Sequence, residues 1–449
     1  MNIKSVCVIG MGFIGTTLAA VLAEAGFEVF GIEKDEAKLN QLKQGTPGFY
    51  EKGLPELLKS QLGKNLHLFD KIPTDRKIDA FIIAVATPVD KETKTPNLDY
   101  VKRAIIDIGP HITENQLFVL RSTVPIGASR TVVLPLLRLL HKESQAVNLS
   151  FCPERTAEGK ALSELKSLPQ IIGALNQPAM DLSVELFAKV NPSVVKTSSL
   201  EAAETVKLIN NSYRDFNFAY ANQIALICKG LDLDADEIIH AANFEYARSN
   251  IANPGFVGGD KAGFVGGVCL EKDPHILINS SNINANLIKA ARDLNESLIV
   301  HVFESVKKYL EDENIAFNKV NVFISGFAFK GHPETDDMRG SPAIELMNLL
   351  KGSGIINIYG HDYVVKKEEI EKLGIDFCSV QEGLNRIDVA VFMNNHHSYQ
   401  DLPIEDLASK MRKGAMIFDG WQLFKEKLKN IDNINYESIG FRKPKNKQA

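Results

Sequence analysis

A glycine-rich stretch that ends in one cysteine is the segment of this 449-residue chain best suited to chemistry. Residues 254–274 read PGFVGGDKAGFVGGVCLEKDP, so Cys269 follows six glycines, and Lys272 and Asp273 come shortly after it. Glycine lacks Cβ and lets the backbone approach a ligand closely. A cysteine beside a cation and a carboxylate at the edge of such a loop is a candidate nucleophile. The alternative is a linker with a buried, unreactive thiol, the usual state of a free cysteine.

Composition and charge narrow the class of protein. With 45% hydrophobic and 24% charged residues, the chain has the composition of a soluble globular protein, and its length predicts two or three domains. A net charge of −5 and a pI near 6.1 argue against a general binder of nucleic acid or membrane surfaces. Neither a signal peptide nor a segment long enough to span a bilayer is recognisable, so we expect a cytoplasmic protein.

The five cysteines are odd in number and show no CxxC spacing, so we expect reduced thiols. His396–His397 is the only histidine pair, and no grouping of cysteine and histidine has the spacing of metal ligands along the chain. The sequence therefore predicts no metal.

The N-terminal segment has the pattern of a dinucleotide-binding turn. An apolar run at Ser5–Ile9 precedes GMGFIG and a helical pattern, and a second strand-like run, Phe27–Ile32, ends at Glu33. In this pattern Gly10 makes the tight turn, Gly12 lets a pyrophosphate approach, and a third glycine lets helix and strand pack. Glu33 would accept the ribose hydroxyls and repel a 2′-phosphate, which favours NAD over NADP. An unrelated glycine-rich turn is the alternative.

Three further strand-like runs each end in a cluster of polar residues. The runs are Ala80–Val85, Leu117–Leu120 and Val147–Phe151, and they lead into Ala86-Thr87-Pro88, Arg121-Ser122-Thr123-Val124-Pro125 and Cys152-Pro153-Glu154-Arg155. The carboxyl ends of parallel strands form the edge of a sheet where ligands bind. Thr123 suits either catalysis or a helix cap, and Glu154 and Glu158 suit either a site or a solvated helix start.

The alternation of strand and helix stops at Glu201–Lys229, which is predicted to be one long helix. Apolar residues recur along it at three- and four-residue steps, namely Val206, Ile209, Tyr213, Phe216, Tyr220, Ile224 and Ile227. Lys207 and Asn211 lie one turn apart on a neighbouring face. Such a helix suits a central scaffold or a dimer interface. Further helices are predicted at Asp234–Ala242 and from Pro274 to about Leu310.

The last third returns to the α/β pattern. Strands are predicted at Val320–Gly326, Ile355–Tyr359, Val389–Met393 and Ala415–Phe418, with a helix from Ser341 to Lys351. No glycine fingerprint accompanies them, so a different ligand is expected, and Lys330 and Arg339 suit either a phosphate or carboxylate site or ordinary surface charge. We therefore predict an α/β protein with two doubly wound sheets and a helical centre, divided at 1–200, 201–312 and 313–449.

With these motifs in place, nearly the whole chain resembles the UDP-glucose/GDP-mannose dehydrogenase family of nucleotide-sugar dehydrogenases. The resemblance rests on separate motifs along the chain: the Gly10 fingerprint, Thr87-Pro88, Ser122-Thr123-Val124-Pro125, Pro153-Glu154, Lys207-Leu208-Ile209-Asn210-Asn211, Gly266-Gly267-Val268-Cys269, Phe329-Lys330 and Asp337-Met338-Arg339-Gly340-Ser341-Pro342. It implies an NAD-binding Rossmann domain, a helical domain that dimerises, and a C-terminal Rossmann-like domain that binds a UDP-sugar.

The resemblance also implies a reaction, the double oxidation of a sugar C6 alcohol to a carboxylate with two NAD and one water, for surface polysaccharide precursors. By position, Cys269 would trap the C6 aldehyde as a thiohemiacetal that is oxidised to a thioester, because a thiolate captures an aldehyde and a thioester hydrolyses readily. Lys207 and Asn211 match the family's pair that steadies the developing oxyanion. Asp273 matches the residue assigned to base chemistry and to ordering water.

Two further sets of residues carry over by position. Glu154 and Thr123 match residues that position the hydrolytic water, with Glu154 as a candidate general base. The implied NAD-binding residues are Gly10, Gly12, Phe13, Ile14, Gly15, Glu33, Lys38, Thr87, Thr123 and Arg339. The implied substrate-binding residues are Glu154, Arg155, Glu158, Lys207, Asn211, Arg248, Gly266, Phe329 and Lys330.

Two motifs bear on the sugar. Pro153-Glu154-Arg155 and Lys272-Asp273-Pro274 look like the branch of the family that oxidises UDP-N-acetylhexosamines. UDP-N-acetylmannosamine or UDP-N-acetylglucosamine is therefore favoured. UDP-glucose is the alternative, because one acetamide changes binding by only about 1–3 kcal/mol.

The chain departs from the family in one respect. Residues 255–259, GFVGG, are repeated as residues 263–267, whereas the family usually has a single copy before the cysteine. The repeat puts the contacts of Arg248 and of the first copy in doubt. Two other functions stay open: a single-oxidation dehydrogenase that uses Lys207 and Asn211 alone, and a catalytically silent nucleotide-sugar sensor.

Overall fold

Two sheets carry the fold, one in each of the two units into which the chain divides. The computed structural model describes residues 3–90, 92–141, 146–246, 251, 265–280, 283–385 and 387–443. One unit comprises Met1–Asn211 and Lys272–Asn284, and the other comprises Ser212–Glu271 and Ala285–Ala449. Within the described ranges, no helix combines the length and apolar character needed to cross a membrane.

The first unit contains an eight-stranded sheet of order β3-β2-β1-β4-β5-β6-β7-β8, parallel except where β6 meets β7. Its strands are β1 Ser5–Ile9, β2 Glu28–Ile32, β3 Leu66–Phe69, β4 Ala80–Ile83, β5 Leu117–Leu120, β6 Asn148–Phe151, β7 Gln170–Ala174 and β8 Val194–Lys196. Its helices before the long central one are α1 Phe13–Glu24, α2 Glu36–Lys43, α3 Leu54–Gln61, α4 Asp99–Ile108, α5 Leu134–Leu140, α6 Ala161–Ser167 and α7 Gln177–Ala188.

Successive side chains of β1 are buried on opposite faces of the first sheet, so both faces are covered. Val6 and Val8 belong to one buried apolar cluster, whereas Cys7 and Ile9 belong to another on the opposite face. A strand buried on both faces is an almost continuous apolar run, which is how these strands appear in the sequence. The strand order reverses between β1 and β4, and the carboxyl ends there mark the ligand-binding edge.

The second unit contains a six-stranded, all-parallel sheet of order β11-β10-β9-β12-β13-β14. Its strands are β9 Asn321–Ser325, β10 Asn357–His361, β11 Asp376–Phe377, β12 Val389–Phe392, β13 Ala415–Asp419 and β14 Ile434–Glu437. The remaining helices, in chain order, are α8 Leu200–Gly230, α9 Ala235–Asn243, α10 Val268–Asn279, α11 Asn286–Asp312, α12 Pro342–Gly352, α13 Lys367–Glu371, α14 Val380–Gly383, α15 Ile404–Lys410 and α16 Lys425–Leu428.

The helical stretch predicted from Pro274 to about Leu310 consists of two helices. The first, α10, begins before the proline, and α11 is a separate helix that starts at Asn286. Proline has no N–H to donate four residues back, to the carbonyl of Leu270. The Arg292 guanidinium donates to that carbonyl at 3.0 Å, which supplies the bond that the proline cannot make.

Much of the apolar stripe predicted on the long helix lies outside the buried face of α8. Tyr213, Tyr220 and Ile227 are 68%, 48% and 49% exposed. The buried positions in the same part of the helix include Asp215 and Asn222, which join a polar network with α11. The stripe is therefore an open apolar surface on the single chain.

Candidate active site

The turn between β1 and α1 has the geometry that its three glycines predict. Gly10 has a φ of +90°, a conformation that residues with side chains rarely adopt. A Cβ on Gly15 would lie 1.8 Å from the Gly10 carbonyl oxygen, so only glycine lets helix and turn meet. A Cβ on Gly12 would have no atom within 4 Å, which leaves open space where α1 begins. A diphosphate fits such a helix N-terminus.

The end of β2 carries the predicted ribose ligand. Glu33 follows β2, its Oε1 accepts the Asp35 backbone N–H at 3.0 Å, and the Lys38 ammonium lies 3.7 Å from its Oε2. Phe13 and Ile14 begin α1 and are half-buried, and the Phe13 ring packs against another phenylalanine ring. These groups surround the turn in the arrangement expected for a dinucleotide site.

Polar residues at the ends of β4 and β5 lie against one another. Thr87 is buried, and Ser122 donates a hydrogen bond to the Val85 carbonyl at 2.7 Å, which ties the two strand ends together. Thr123 is half-buried beside it. Two threonine hydroxyls thus stand at the edge of the sheet where the strand order reverses.

A buried ion pair holds Glu154 in place. Arg121, at the end of β5, is 1% exposed and donates to Glu154 Oε2 at 2.6 and 3.2 Å and to the Cys152 carbonyl at 3.2 Å. The other carboxylate oxygen accepts the backbone N–H groups of Arg155 and Thr156. The carboxylate is therefore tied down at both oxygens.

Burial by itself would raise the pKa of the Glu154 carboxyl. The Arg121 guanidinium and the Thr156 N–H outweigh burial, so the net pKa is lower than usual. Glu154 is thus held ionised and oriented, which suits fixing a water molecule better than strong general-base chemistry. Of the neighbouring predicted ligands, Arg155 donates to the Pro169 carbonyl at 2.6 Å, and Glu158 is half-buried.

Lys207 and Asn211, one turn apart on α8, converge on Asp273 of α10. The Asn211 amide donates to Asp273 Oδ2 at 2.6 Å, and the Lys207 ammonium lies 3.9 Å from the same oxygen. The Lys272 ammonium holds Oδ1 at 2.7 Å. Asp273 is fully buried and the two lysines nearly so, which makes this a dense, largely desolvated charge cluster. Ammonium and amide donors in such surroundings stabilise a developing oxyanion.

Cys269 is the second residue of α10. The boundary between the two units falls within this helix, so Cys269 belongs to the second unit and Asp273 to the first. Of the five cysteines it is the one whose side chain is exposed, while Cys7, Cys152 and Cys228 are buried and Cys378 is half-buried. Burial raises the pKa of Cys152 to about 12 and that of Cys378 to about 11, which leaves those thiols unreactive. The alternative in which Cys269 is buried is therefore wrong, and its role as a nucleophile stays a prediction.

Gly267, the last residue of the second GFVGG copy, is hydrogen-bonded to the segment that carries the predicted nucleotide ligands. The Gly267 N–H donates to the Gly340 carbonyl at 3.1 Å, and Gly267 has a φ of +94°. A Cβ there would lie 2.6 Å from the Phe329 ring, so glycine is required for the approach. Lys330 is half-buried with its ammonium 5.3 Å from that ring, and Arg339 is exposed and bonded to Asp337. Arg248, the first GFVGG copy and the start of the second copy lie outside the described residues.

Models of three domains of one family match successive parts of this chain. The NAD-binding domain of the UDP-glucose/GDP-mannose dehydrogenase family matches residues 4–191, the central domain matches 201–297 and the UDP-binding domain matches 323–426. The chain belongs to this family. It is an NAD-dependent nucleotide-sugar dehydrogenase, and the α/β fold with two parallel-sheet Rossmann-like domains and a helical centre is confirmed.

Named relatives span nearly the full length of this dehydrogenase. A UDP-N-acetyl-D-mannosamine dehydrogenase of Methanococcus vannielii is 33% identical and covers 98% of this chain and 96% of its own. One from Campylobacter jejuni is 29% identical over 90% of this chain and 98% of its own. The solved structure of a UDP-D-ManNAc dehydrogenase from Pyrococcus horikoshii superposes with a TM-score of 0.86 at 27% identity, covering 97% of this chain and 99% of its own.

Sequence reasoning missed some groups of this dehydrogenase. The motif Arg121-Ser122-Thr123-Val124-Pro125 does not predict the pairing of Arg121 with Glu154, although a cation that follows directly on an apolar strand signals a buried partner. Glu334 also lies against His396 and His397, and the three form a group of possible metal ligands. Spacing along the chain could not show this, because Glu334 lies 62 residues before His396.

Proposed function

We propose that this dehydrogenase oxidises the C6 hydroxyl of a UDP-N-acetylhexosamine to the uronic acid, with UDP-N-acetylmannosamine as the first substrate to test. The names of the two relatives and of the solved structure support this sugar, as do the Pro153-Glu154-Arg155 and Lys272-Asp273-Pro274 motifs. A related NDP-N-acetyl-D-galactosaminuronic acid dehydrogenase of Ralstonia nicotianae, 27% identical, widens the class to other acetamido sugars. UDP-glucose stays the alternative.

The buried cluster around Asp273 carries the proposal. Cys269 and Asp273 are four residues apart in one helix, so both project from the same face one turn apart. Asp273 accepts the proton of the C6 hydroxyl or of the attacking water, while Lys207 and Asn211 hold the oxygen that gains negative charge. The thiol occupies the first turn of α10, where the helix dipole favours an anion.

The reaction removes two hydrides from C6 and passes through one covalent intermediate on Cys269. The Gly10–Gly15 turn would hold NAD, which would accept each hydride. After the first oxidation, Cys269 Sγ adds to the C6 aldehyde and gives a thiohemiacetal, which loses the second hydride to become a thioester. Water oriented by Glu154 and Thr123 cleaves the C–S bond, releasing the carboxylate and regenerating the thiol. The sum is one alcohol, two NAD⁺ and one water converted to one carboxylate, two NADH and three protons.

The test is the stoichiometry of NADH release on a panel of UDP- and GDP-sugars. We expect two NADH per UDP-N-acetylmannosamine and an acylated peptide containing Cys269 when the reaction is quenched during turnover. Cys269→Ser should abolish turnover while NAD still binds, and Cys378→Ser, at a half-buried thiol, should keep it. One NADH per substrate would support a single-oxidation enzyme, and no NAD reduction with any sugar would support a sensor. Full oxidation by Cys269→Ser at the wild-type rate would exclude the thioester.

We also propose that the enzyme is a cytoplasmic homodimer that supplies surface polysaccharide precursors. The exposed stripe of Tyr213, Tyr220 and Ile227 on α8 is an apolar surface of the kind that marks an interface. Sedimentation of the wild type as a dimer, and of Tyr220→Glu as a monomer, is the expected result, with Tyr100→Glu on α4 as the matched exposed control. A monomeric wild type would overturn the dimer. Loss of the uronic acid from the cell surface on deletion tests the pathway.

A further inference from the structure

We propose that Glu334, His396 and His397 form a binding site for a divalent transition-metal ion, with Zn²⁺ as the representative. Two imidazoles and one carboxylate are ligands that this class of ion prefers. Glu334 Oε1 lies 3.0 Å from His396 Nε2 and 3.3 Å from His397 Nδ1, and one ligand atom from each of the three residues lies within 4.8 Å of the others.

Two of the three separations between ligand atoms suit an ion. With bonds of about 2.0–2.1 Å and ligand angles between right and tetrahedral, neighbouring ligand atoms of a zinc site are separated by about 2.9–3.4 Å. Both separations from the carboxylate oxygen fall in that range. His397 is 61% exposed and can turn its ring toward the ion, and its exposure leaves room for water as a fourth ligand.

The fold holds the buried ligand in place. His396 follows β12 at the carboxyl edge of the second sheet, is 5% exposed, and stacks on the Tyr363 ring at 4.8 Å. Its ring is therefore fixed before any ion arrives, which reduces the entropy lost on binding.

The carboxylate ligand reaches the sheet edge because of one glycine. A Cβ on Gly331 would lie 2.0 Å from the backbone nitrogen of His396, so only glycine lets this loop approach the segment that follows β12. The Asn395 side chain then accepts the backbone N–H groups of Gly331 and His332 at 3.1 and 3.2 Å. These contacts bring Glu334 to the histidines independently of any ion.

Binding requires one change of proton position. In the ion-free arrangement His396 Nε2–H donates to Glu334, and Nδ1 accepts the Ser398 N–H at 3.2 Å. An ion on Nε2 moves the proton to Nδ1, and the Ser398 hydrogen bond is given up. The site is therefore expected to exchange its ion readily and not to act as a structural zinc centre.

A bound ion would fasten the segment 329–339 to the loop that follows β12. That segment also carries Lys330 and Arg339, so the ion would restrain the region to which the nucleotide ligands are assigned. All three metal ligands and their supports lie in the second unit, so the metal proposal does not depend on the identity of the sugar.

The experiment is equilibrium dialysis of the tag-free, EDTA-washed full chain against Zn²⁺ at neutral pH. All variants are made in a Cys269→Ser background, which removes the exposed thiol as a competing ligand. We expect one ion per chain, at least tenfold weaker binding for His397→Ala and for Glu334→Gln, and unchanged binding for His240→Ala at an exposed control histidine. X-ray absorption of the bound ion should show two imidazole ligands.

A second measurement separates this site from adventitious binding. Zn²⁺ should slow amide exchange in segment 329–339 of the parent chain and leave it unchanged in His397→Ala. The proposal is overturned if no saturable binding is found, or if both ligand variants bind Zn²⁺ as tightly as the parent.

Discussion

Breaking the buried pair of Arg121 and Glu154 is expected to destabilise the first unit far more than breaking an exposed pair of the same chemistry. In Arg121→Met the Glu154 carboxylate keeps its two backbone donors but loses its counter-charge at 5% exposure. Removing one partner of a buried ion pair costs about 3–5 kcal/mol, because the remaining charge stays desolvated. Arg130 and Glu201 provide the control, bonded at 2.5 Å but 46% and 31% exposed. Arg130→Met is expected to cost less than about 1 kcal/mol.

Amide hydrogen exchange in β5 and β6 is the suitable assay. The single tryptophan, Trp421, lies in the second unit, so its fluorescence does not report on this pair. A loss of 3–5 kcal/mol predicts exchange about 150- to 5000-fold faster in Arg121→Met, against about fivefold at most in Arg130→Met. Both variants remove an arginine from the same unit, so the comparison isolates burial.

Two results would refute this reasoning. One is exchange in Arg121→Met that stays within tenfold of the wild type. The other is a double variant, Arg121→Met with Glu154→Gln, whose loss of unfolding free energy equals the sum of the losses in the two single variants. Removing both charges should leave no unpaired ion, so the double variant is expected to be more stable than that sum.

Three further predictions follow from single residues. Gly15→Ala should destabilise the first unit and abolish NAD binding. Gly12→Ala has open space around its Cβ, so it should weaken NAD binding and leave the unfolding midpoint unchanged. Calorimetry measures both midpoints. Lys207→Ala should lower kcat by about 10²–10³ with an NAD affinity close to wild type, measured by steady-state kinetics and fluorescence titration. Burial lowers the pKa of His361 from 6.5 to about 4, so the unfolded chain binds that proton more readily and the second unit loses stability as pH falls through this window. At pH 5.5 the loss is about 1 kcal/mol, read from Trp421 fluorescence during urea unfolding.

Each of these predictions has an outcome that contradicts it. Equal unfolding midpoints for Gly15→Ala and the wild type would show that the turn can relax around a methyl group. An unchanged kcat for Lys207→Ala would make that lysine a structural partner of Asp273. For His361, the His361→Gln variant should show a flatter pH profile between 6.5 and 4, and identical profiles would assign the acid sensitivity to other groups.

Local pattern determined much of the first sheet and the dinucleotide turn. Ser5–Ile9 and Leu117–Leu120 are confirmed as strands to the residue, because a short apolar run bounded by polar residues and glycine is typical of a strand buried on both faces. The Gly10 turn was equally readable, since backbone sterics allow few other residues at its positive φ. The short strand Leu66–Phe69 and the edge strand Val194–Lys196 were not predicted, because their patterns are too brief to stand out.

Folding of the whole chain brings together residues that lie far apart along it. The sequence placed Glu154 after a strand-like run, Asp273 after a glycine-rich loop and His396 beside His397. It did not show that Arg121 neutralises the first, that Lys207, Asn211 and Lys272 surround the second, or that Glu334 reaches the third. Side-chain periodicity is a local property, set by the repeat of one helix or strand. Charge pairing depends on sheet order and loop approach, and these arise only when the whole chain is folded.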